Sequence, residues 1–136
     1  MEKEKMIAAA AMAREKAYAP YSGFKVGAAV LTKNGNLYTG CNIENASYGE
    51  TVCAERVAIF KAVSEEDPHI EVLAVYSSSD IPAAPCGACR QVLIEFSSDT
   101  EIIMANTAGE VRIASIKELF PLAFNREYLE GGKNIG

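Results

Sequence analysis

The spacing of apolar positions changes several times along the chain, and each change marks an element. Strong helix formers run from Glu2 to about Ala19, with Met6 and Met12 as a packed stripe. Pro20 stops them in the turn-rich "APYSGF", so the chain is expected to open on a helix. The runs "KVGAAVLTK" and "LYTGCNIEN" then flank Asn34-Gly35, a favoured dipeptide for a two-residue hairpin turn, and predict two antiparallel strands. After the loop "ASYGET", apolar residues at Val52, Ile59, Phe60 and Val63 predict a second helix from about Val52 to Glu66, ended by Asp67-Pro68.

"IEVLAVYSS" is an apolar, β-rich run of buried-strand length, and it leads through "DIPAAP" into a third helical pattern, "CGACRQVLIEF". "EIIMAN" predicts another strand, a turn at Gly109 leads to "VRIAS", and Ser115 three residues before Glu118 marks a capped helix start in "SIKELF". The tail "NREYLEGGKNIG" is expected to fray. A hairpin followed by strand-to-helix units implies an α/β fold, a three-layer α/β/α sandwich with a mixed sheet of about five strands and helices on both faces.

The chain has 136 residues, 49% of them hydrophobic, which suits one compact domain spanning 1–136. A net charge of −5, without a basic stripe, argues against a nucleic-acid polymer as partner. The N-terminal "MEKEKMIAAAAMAREKAY" reads neither as a secretory signal nor as a membrane span, and a cytoplasmic location is expected. Four cysteines are too few for a secreted disulfide framework, so metal binding or reactivity is the question for Cys41, Cys53, Cys86 and Cys89.

Cys53 and the pair Cys86/Cys89 each fall at the predicted start of a helix that follows a loop. Unpaired backbone N–H groups and the helix dipole stabilise thiolates there. A C-x-x-C at a helix start turns both sulfurs to one side, and a third sulfur from a neighbouring helix leaves one position of a tetrahedral metal open. Such a three-ligand zinc site is catalytic in type, lowering the pKa of a bound water to about 7. Glu55 is placed to carry that water's proton.

Arg56 addresses a charge problem. Three thiolates outweigh the charge of one zinc ion, and two helix N-termini offset only part of the excess. A guanidinium hydrogen-bonded to the sulfurs supplies more. Against this reading stand a closed four-sulfur site completed by Cys41, which would make the protein a structural zinc module, and a solvated surface pair for Glu55 and Arg56. Cys41 lies in a predicted strand, where a small buried residue is the ordinary meaning. Asn42 and Glu44 fall on one face of a strand and are compatible with a polar outer surface. Tyr18 and Tyr21 read as structural, His69 as a surface group in "EDPHI", and Phe24 and Phe124 as core.

"CAER" followed by "PCGACRQ", together with "YAPYSGFKVGAA" and "GCNIENASYG", resembles the small homotetrameric, three-cysteine cytidine deaminases of the cytidine/deoxycytidylate deaminase superfamily, from the first helix to Phe124. The resemblance implies one Zn2+ per subunit on Cys53, Cys86 and Cys89, and hydrolysis of cytidine and 2′-deoxycytidine to the uridine products and ammonia in pyrimidine salvage. It implies that Glu55 moves the protons, that Asn42 and Glu44 hold the ribose hydroxyls, and that Phe24 packs on the pyrimidine. The backbone of Ala54 would meet the amino group, and Ala46, Tyr48 and Phe124 would belong to sites shared between subunits.

One departure is Val57, where this family commonly has Thr. "TVCAE" also occurs in blasticidin-S deaminases, but these lack the arginine and the full "CNIEN". Arg56, Asn42 and Phe24 thus favour a nucleoside substrate over another small aminopyrimidine such as blasticidin S.

Overall fold

A computed structural model describes residues 1–130. Its elements, in chain order, are α1 (Lys3–Arg14), β1 (Val26–Thr32), β2 (Leu37–Cys41), a 3₁₀ turn (Tyr48–Glu50), α2 (Ala54–Ser64), β3 (Ile70–Ser77), α3 (Gly87–Phe96), β4 (Glu101–Asn106), β5 (Val111–Ser115), α4 (Ile116–Leu119) and α5 (Arg126–Glu130). The five strands form one sheet in the order β2-β1-β3-β4-β5. Only β3 and β4 run parallel, joined through α3, and the other neighbours are antiparallel. This is the mixed five-stranded α/β sandwich expected.

Alternation along the strands divides the core in two. Ala28, Val30, Leu73, Val75, Ile102 and Met104 face α2 and α3, where they bury Ala58, Ile59, Leu93 and Ile94. Ala29, Leu31, Ala74 and Ile103 face the other way and cover Met6 and Ala10 of α1. Two glycines let the helices approach. A Cβ on Gly27 would lie 1.9 Å from the Ala10 carbonyl oxygen, and one on Gly40 would lie 2.6 Å from the Ala54 carbonyl oxygen and the Ala58 nitrogen. Gly40 therefore fixes how closely the first turn of α2 can sit on the sheet.

Several boundaries differ from the expected ones. α1 ends at Arg14 rather than near Ala19, because the next residues have other partners. Lys16 and Ala17 close tight turns onto Ala13 and Arg14, while Tyr18 exchanges backbone hydrogen bonds with the Asn42–Glu44 stretch. Met12 is not part of a packed stripe: it is 74% exposed whereas Met6 is fully buried. Six residues turn a helix through about 600°, which puts the two methionines on different sides.

The hairpin is wider than a two-residue turn, since Lys33–Asn36 separates the strands. Gly35 takes a φ of 87°, and Asp67 explains the opening. Its buried carboxylate accepts hydrogen bonds from Thr32 Oγ1 at 2.7 Å and from the side-chain amides of Asn34 and Asn36 at 2.8 Å. The loop is wrapped around an acid placed just beyond α2. Strand β2 ends at Cys41, and Asn42 to Glu44 continue as an isolated bridge, Ile43 pairing with both Tyr18 and Val52. Ser115 forms the expected capping box with Glu118. In the tail, Arg126–Glu130 is helical, and the rest of the segment expected to fray, 131–136, lies outside the described residues.

Candidate metal centre and active site

Cys53 is the N-cap of α2 and Cys86 the N-cap of α3, with Cys89 in the first turn of α3. Each helix begins where an extended stretch ends, so the sulfurs meet unpaired N–H groups at the positive ends of two dipoles. The three Sγ atoms lie within 4.8 Å of one another. Cys53 and Cys86 are 3.7 Å apart, Cys86 and Cys89 3.3 Å. Sulfurs about 2.3 Å from a tetrahedral zinc stand about 3.8 Å from each other, so this donor set fits the ion with a small spreading of the C-x-x-C pair. Cys41 is not among the gathered sulfurs, and no four-cysteine site forms. All four cysteines are free thiols.

The electrostatics match a cation site. Cys53 is held down to about 5, chiefly by hydrogen bonding with Cys89 and then by Arg56 and Cys86, against the opposing effect of burial. Cys89 is pushed up by the same sulfur contact and by burial. Three thiols crowded together without a cation can share one negative charge easily but not three. Arg56 Nη2 reaches Cys53 Sγ at 3.6 Å, while its Nε is buried without a partner.

Glu55 follows Cys53 by two residues and is 5% exposed. Burial pushes its carboxyl up to about 7; the Cys53 charge adds to this, and its own backbone hydrogen bond and Arg56 oppose it. A carboxyl near neutrality can both take and give a proton at physiological pH. Ala54, the first residue of α2, is buried beside it.

A second set of predicted residues is assembled by the loop after α1. The Asn42 side chain accepts from the Val26 N–H at 2.9 Å and donates to the Phe24 carbonyl at 2.8 Å. Glu44 Oε1 accepts from the backbone N–H groups of Tyr21 and Ser22 at 3.0 and 3.1 Å, and Oε2 accepts the Ser22 hydroxyl. The Ser22 hydroxyl first, with these backbone donors, holds Glu44 below its usual value against the opposing effect of burial. A cavity of about 340 Å³ opens here, lined by Tyr21, Ser22, Glu44, Asn45, Tyr48 and Thr51.

The remaining predicted residues are exposed. Ala46 and Tyr48 lie on the loop before α2, with Tyr48 edge-on to Tyr21 at 6.1 Å. Phe124 lies in the tail, stacked on Tyr128 at 5.2 Å, and is not core. Tyr21 lines the cavity instead of being purely structural. His69 sits at the surface, 3.2 Å from Asp99.

Three side chains that the sequence reading passed over hold these parts together. Ser22 anchors Glu44; Arg90 donates to the carbonyls of Pro85, just before Cys86, and Leu119; Gln91 donates to the Phe124 carbonyl. Arg90 and Gln91 directly follow Cys89, and that adjacency was their available signal. Ser22 and Glu44 are far apart in sequence and offered none.

Comparison with known proteins agrees with this geometry. Residues 1–105 match the model of the cytidine and deoxycytidylate deaminase zinc-binding region. A cytidine deaminase of Sporosarcina psychrophila is 47% identical over 130 residues, covering 95% of this chain and 96% of that protein. The crystal structure of a cytidine deaminase from Burkholderia pseudomallei superposes with a TM-score of 0.88 at 49% identity, over 91% of this chain and all of that one. A blasticidin-S deaminase of Bacillus cereus is more distant, 34% identical over 74% of this chain and 77% of its own. The sulfur triad, the buried acid beside it and the matched length together say that this chain belongs to the zinc-binding cytidine and deoxycytidylate deaminase family.

Proposed function

We propose that the protein hydrolyses the exocyclic amine of cytidine and 2′-deoxycytidine, consuming water and releasing ammonia and the corresponding uridine. The observation that carries this reading is three sulfurs converging at two helix N-termini with a buried acid, Glu55, two residues from one of them. Cys53, Cys86 and Cys89 would hold one zinc ion per subunit, which when bound acidifies a water so that it can attack at neutral pH.

Glu55 accepts the proton of that water, delivers it to ring N3, and afterwards carries a proton to the amino nitrogen leaving C4. Its burial, which raises the carboxyl well above the usual range, favours the protonated form that the second half of this cycle needs. Arg56 offsets the charge of the sulfurs through its contact with Cys53. The Ala54 carbonyl and N–H lie at the head of α2, where the amino group would be received. Phe24 is the platform for the pyrimidine, and Asn42 and Glu44 receive the sugar hydroxyls.

Ala46, Tyr48 and Phe124 serve a neighbouring copy, in a homotetramer whose sites are shared. Support comes from apolar groups left bare on the single chain: Ile43, Phe60, Tyr48 and Phe124 are 45 to 76% exposed. Val57, in place of a common Thr, lines a surface groove whose apolar part is Ile43, Val52 and Phe60 and whose polar part includes Glu50 and Lys61, and its methyls suit an apolar contact there. The whole chain works as a single catalytic domain in the cytoplasm, in pyrimidine salvage. The free cysteines suit a reducing compartment, and among the described residues no helix is long and apolar enough to cross a membrane.

Incubating the purified protein with cytidine and following the absorbance change to uridine tests the reading. Turnover by zinc-loaded protein is expected; folded, zinc-loaded protein that leaves cytidine unchanged would overturn it.

A further inference from the structure

Ser22 lines the same cavity as Glu44 and ties together the loop that faces it. Ser22 is exposed, lies outside every helix and strand, and makes two contacts through one oxygen. Its Oγ accepts the Phe24 N–H at 3.0 Å and donates its proton to Glu44 Oε2. The first contact fixes the second: with Phe24 occupying an acceptor position, the single hydroxyl proton points at the carboxylate. Glu44 Oε1 is already taken by the N–H groups of Tyr21 and Ser22. What remains free on the carboxylate is acceptor capacity on Oε2, aimed into a cavity that both Ser22 and Glu44 line.

We propose that Ser22 is a positioning residue for substrate recognition, its hydroxyl fixing the Glu44 carboxylate in the orientation that accepts a sugar hydroxyl. This rests on the deaminase reading above, because it takes Glu44 as the sugar's partner. Asn42 strengthens the arrangement from the other side. Its amide holds the Phe24 carbonyl while Ser22 holds the Phe24 N–H, so the pyrimidine platform and both sugar-reading side chains form one hydrogen-bonded unit. Losing the Ser22 proton frees Glu44 to rotate and leaves the backbone donors as its only anchors. The cost should appear when a substrate hydroxyl needs that carboxylate, and vanish when none does.

The test compares wild type, Ser22→Ala, Ser22→Thr and Ser22→Cys on cytidine, with 2′,3′-dideoxycytidine as a competitor that lacks the 2′- and 3′-hydroxyls and keeps the 5′-hydroxyl, the proposal taking the Glu44 partner to be one of the two removed. For Ser22→Ala the KM for cytidine is expected to rise about tenfold with kcat within about twofold, the size of a lost hydrogen bond to a charged group. The inhibition constant of dideoxycytidine should move by less than about twofold. Ser22→Thr, which keeps the hydroxyl, should restore KM to within about threefold of wild type. Ser22→Cys, a weak donor of similar size, should fall between and serves if the alanine variant melts early.

Equal losses on cytidine and dideoxycytidine would overturn the proposal, since a merely structural serine would weaken both. So would an unchanged KM in Ser22→Ala. Wild-type protein inert towards cytidine would be a different failure: it would remove the deaminase reading, and this inference with it.

Discussion

Glu44 and Glu55 are the same residue type eleven positions apart, and the fold gives them opposite surroundings. Glu55 is buried at the head of α2 with a thiol beside it, and its carboxyl rises to about 7. Glu44 sits at a cavity wall under a hydroxyl and two backbone N–H groups, and its carboxyl is held low. Desolvation disfavours the charged form, whereas hydrogen bonds donated to a carboxylate favour it. One acid is thus prepared to exchange protons and the other to stay an anion and accept hydrogen bonds. The difference comes from the backbone that carries each: a helix N-terminus pressed onto Gly40, and an irregular bridge that leaves N–H groups of the neighbouring loop free.

The largest effect is expected from removing the metal on which the proposed task of Glu55 depends. Cys89→Ser should lose stoichiometric zinc and bring cytidine turnover to background, as read by metal analysis beside the absorbance assay. Full activity without zinc would break the comparison at its root.

Next comes charge. Arg56→Ala should lower zinc affinity or activity by about 10- to 100-fold, the usual cost of losing a group that supports a metal ligand. Replacing Cys53 by His in that background removes one negative charge and should recover part of the loss. If neither Cys53→His nor the equivalent changes at Cys86 or Cys89 gives rescue, the charge explanation fails.

Glu44→Gln sharpens the other half: KM for cytidine should rise about tenfold while kcat and zinc content hold, because uniform binding is lost without harm to the chemistry. A fall in kcat with KM unchanged would make Glu44 part of the proton path.

A last effect is on stability rather than turnover, and the two acids should differ in sign. In chelator-treated protein the folded state keeps the Glu55 proton up to about pH 7, whereas an unfolded chain releases it near pH 4.3. Between these values the folded state binds more protons, so stability falls as pH rises, by about 4 kcal/mol in total. Glu44 runs the other way, stabilising above its unfolded value and losing that contribution as pH drops. Denaturant melts of metal-free Glu55→Gln should therefore show a gain over wild type that is larger at pH 8 than at pH 5. A gain independent of pH would detach the burial of Glu55 from its ionisation.

The metal half of the site was legible because its information is local. Cys53 and Glu55, and Cys86 and Cys89, stand at fixed short spacings at the starts of elements that hydrophobic periodicity also marks. The strands and the helices on both faces of the sheet followed from similarly local patterns, whereas the strand order β2-β1-β3-β4-β5 is seen only in the fold. The part proposed to hold the nucleoside was legible only through family resemblance for Asn42, Glu44 and Phe24, and not at all for Ser22, because these residues meet across a loop. The wrapping of Thr32, Asn34 and Asn36 around Asp67 was hidden for the same reason, and it turned an expected two-residue turn into a wider loop. The early end of α1 is another case: local propensity favours helix through Ala17, but Tyr18 finds backbone partners in the Asn42–Glu44 stretch.

The most direct test of a proton-carrying Glu55 is zinc content and cytidine kcat measured on the same preparation of Glu55→Gln. Glutamine keeps the shape and cannot shuttle the proton. About one zinc per chain is expected, with kcat reduced by about 10²- to 10⁴-fold, the contribution of a positioned general acid and base. Wild-type turnover in Glu55→Gln, or loss of zinc together with activity, would contradict the account, leaving Glu55 a bystander in the first case and a support of the metal site in the second.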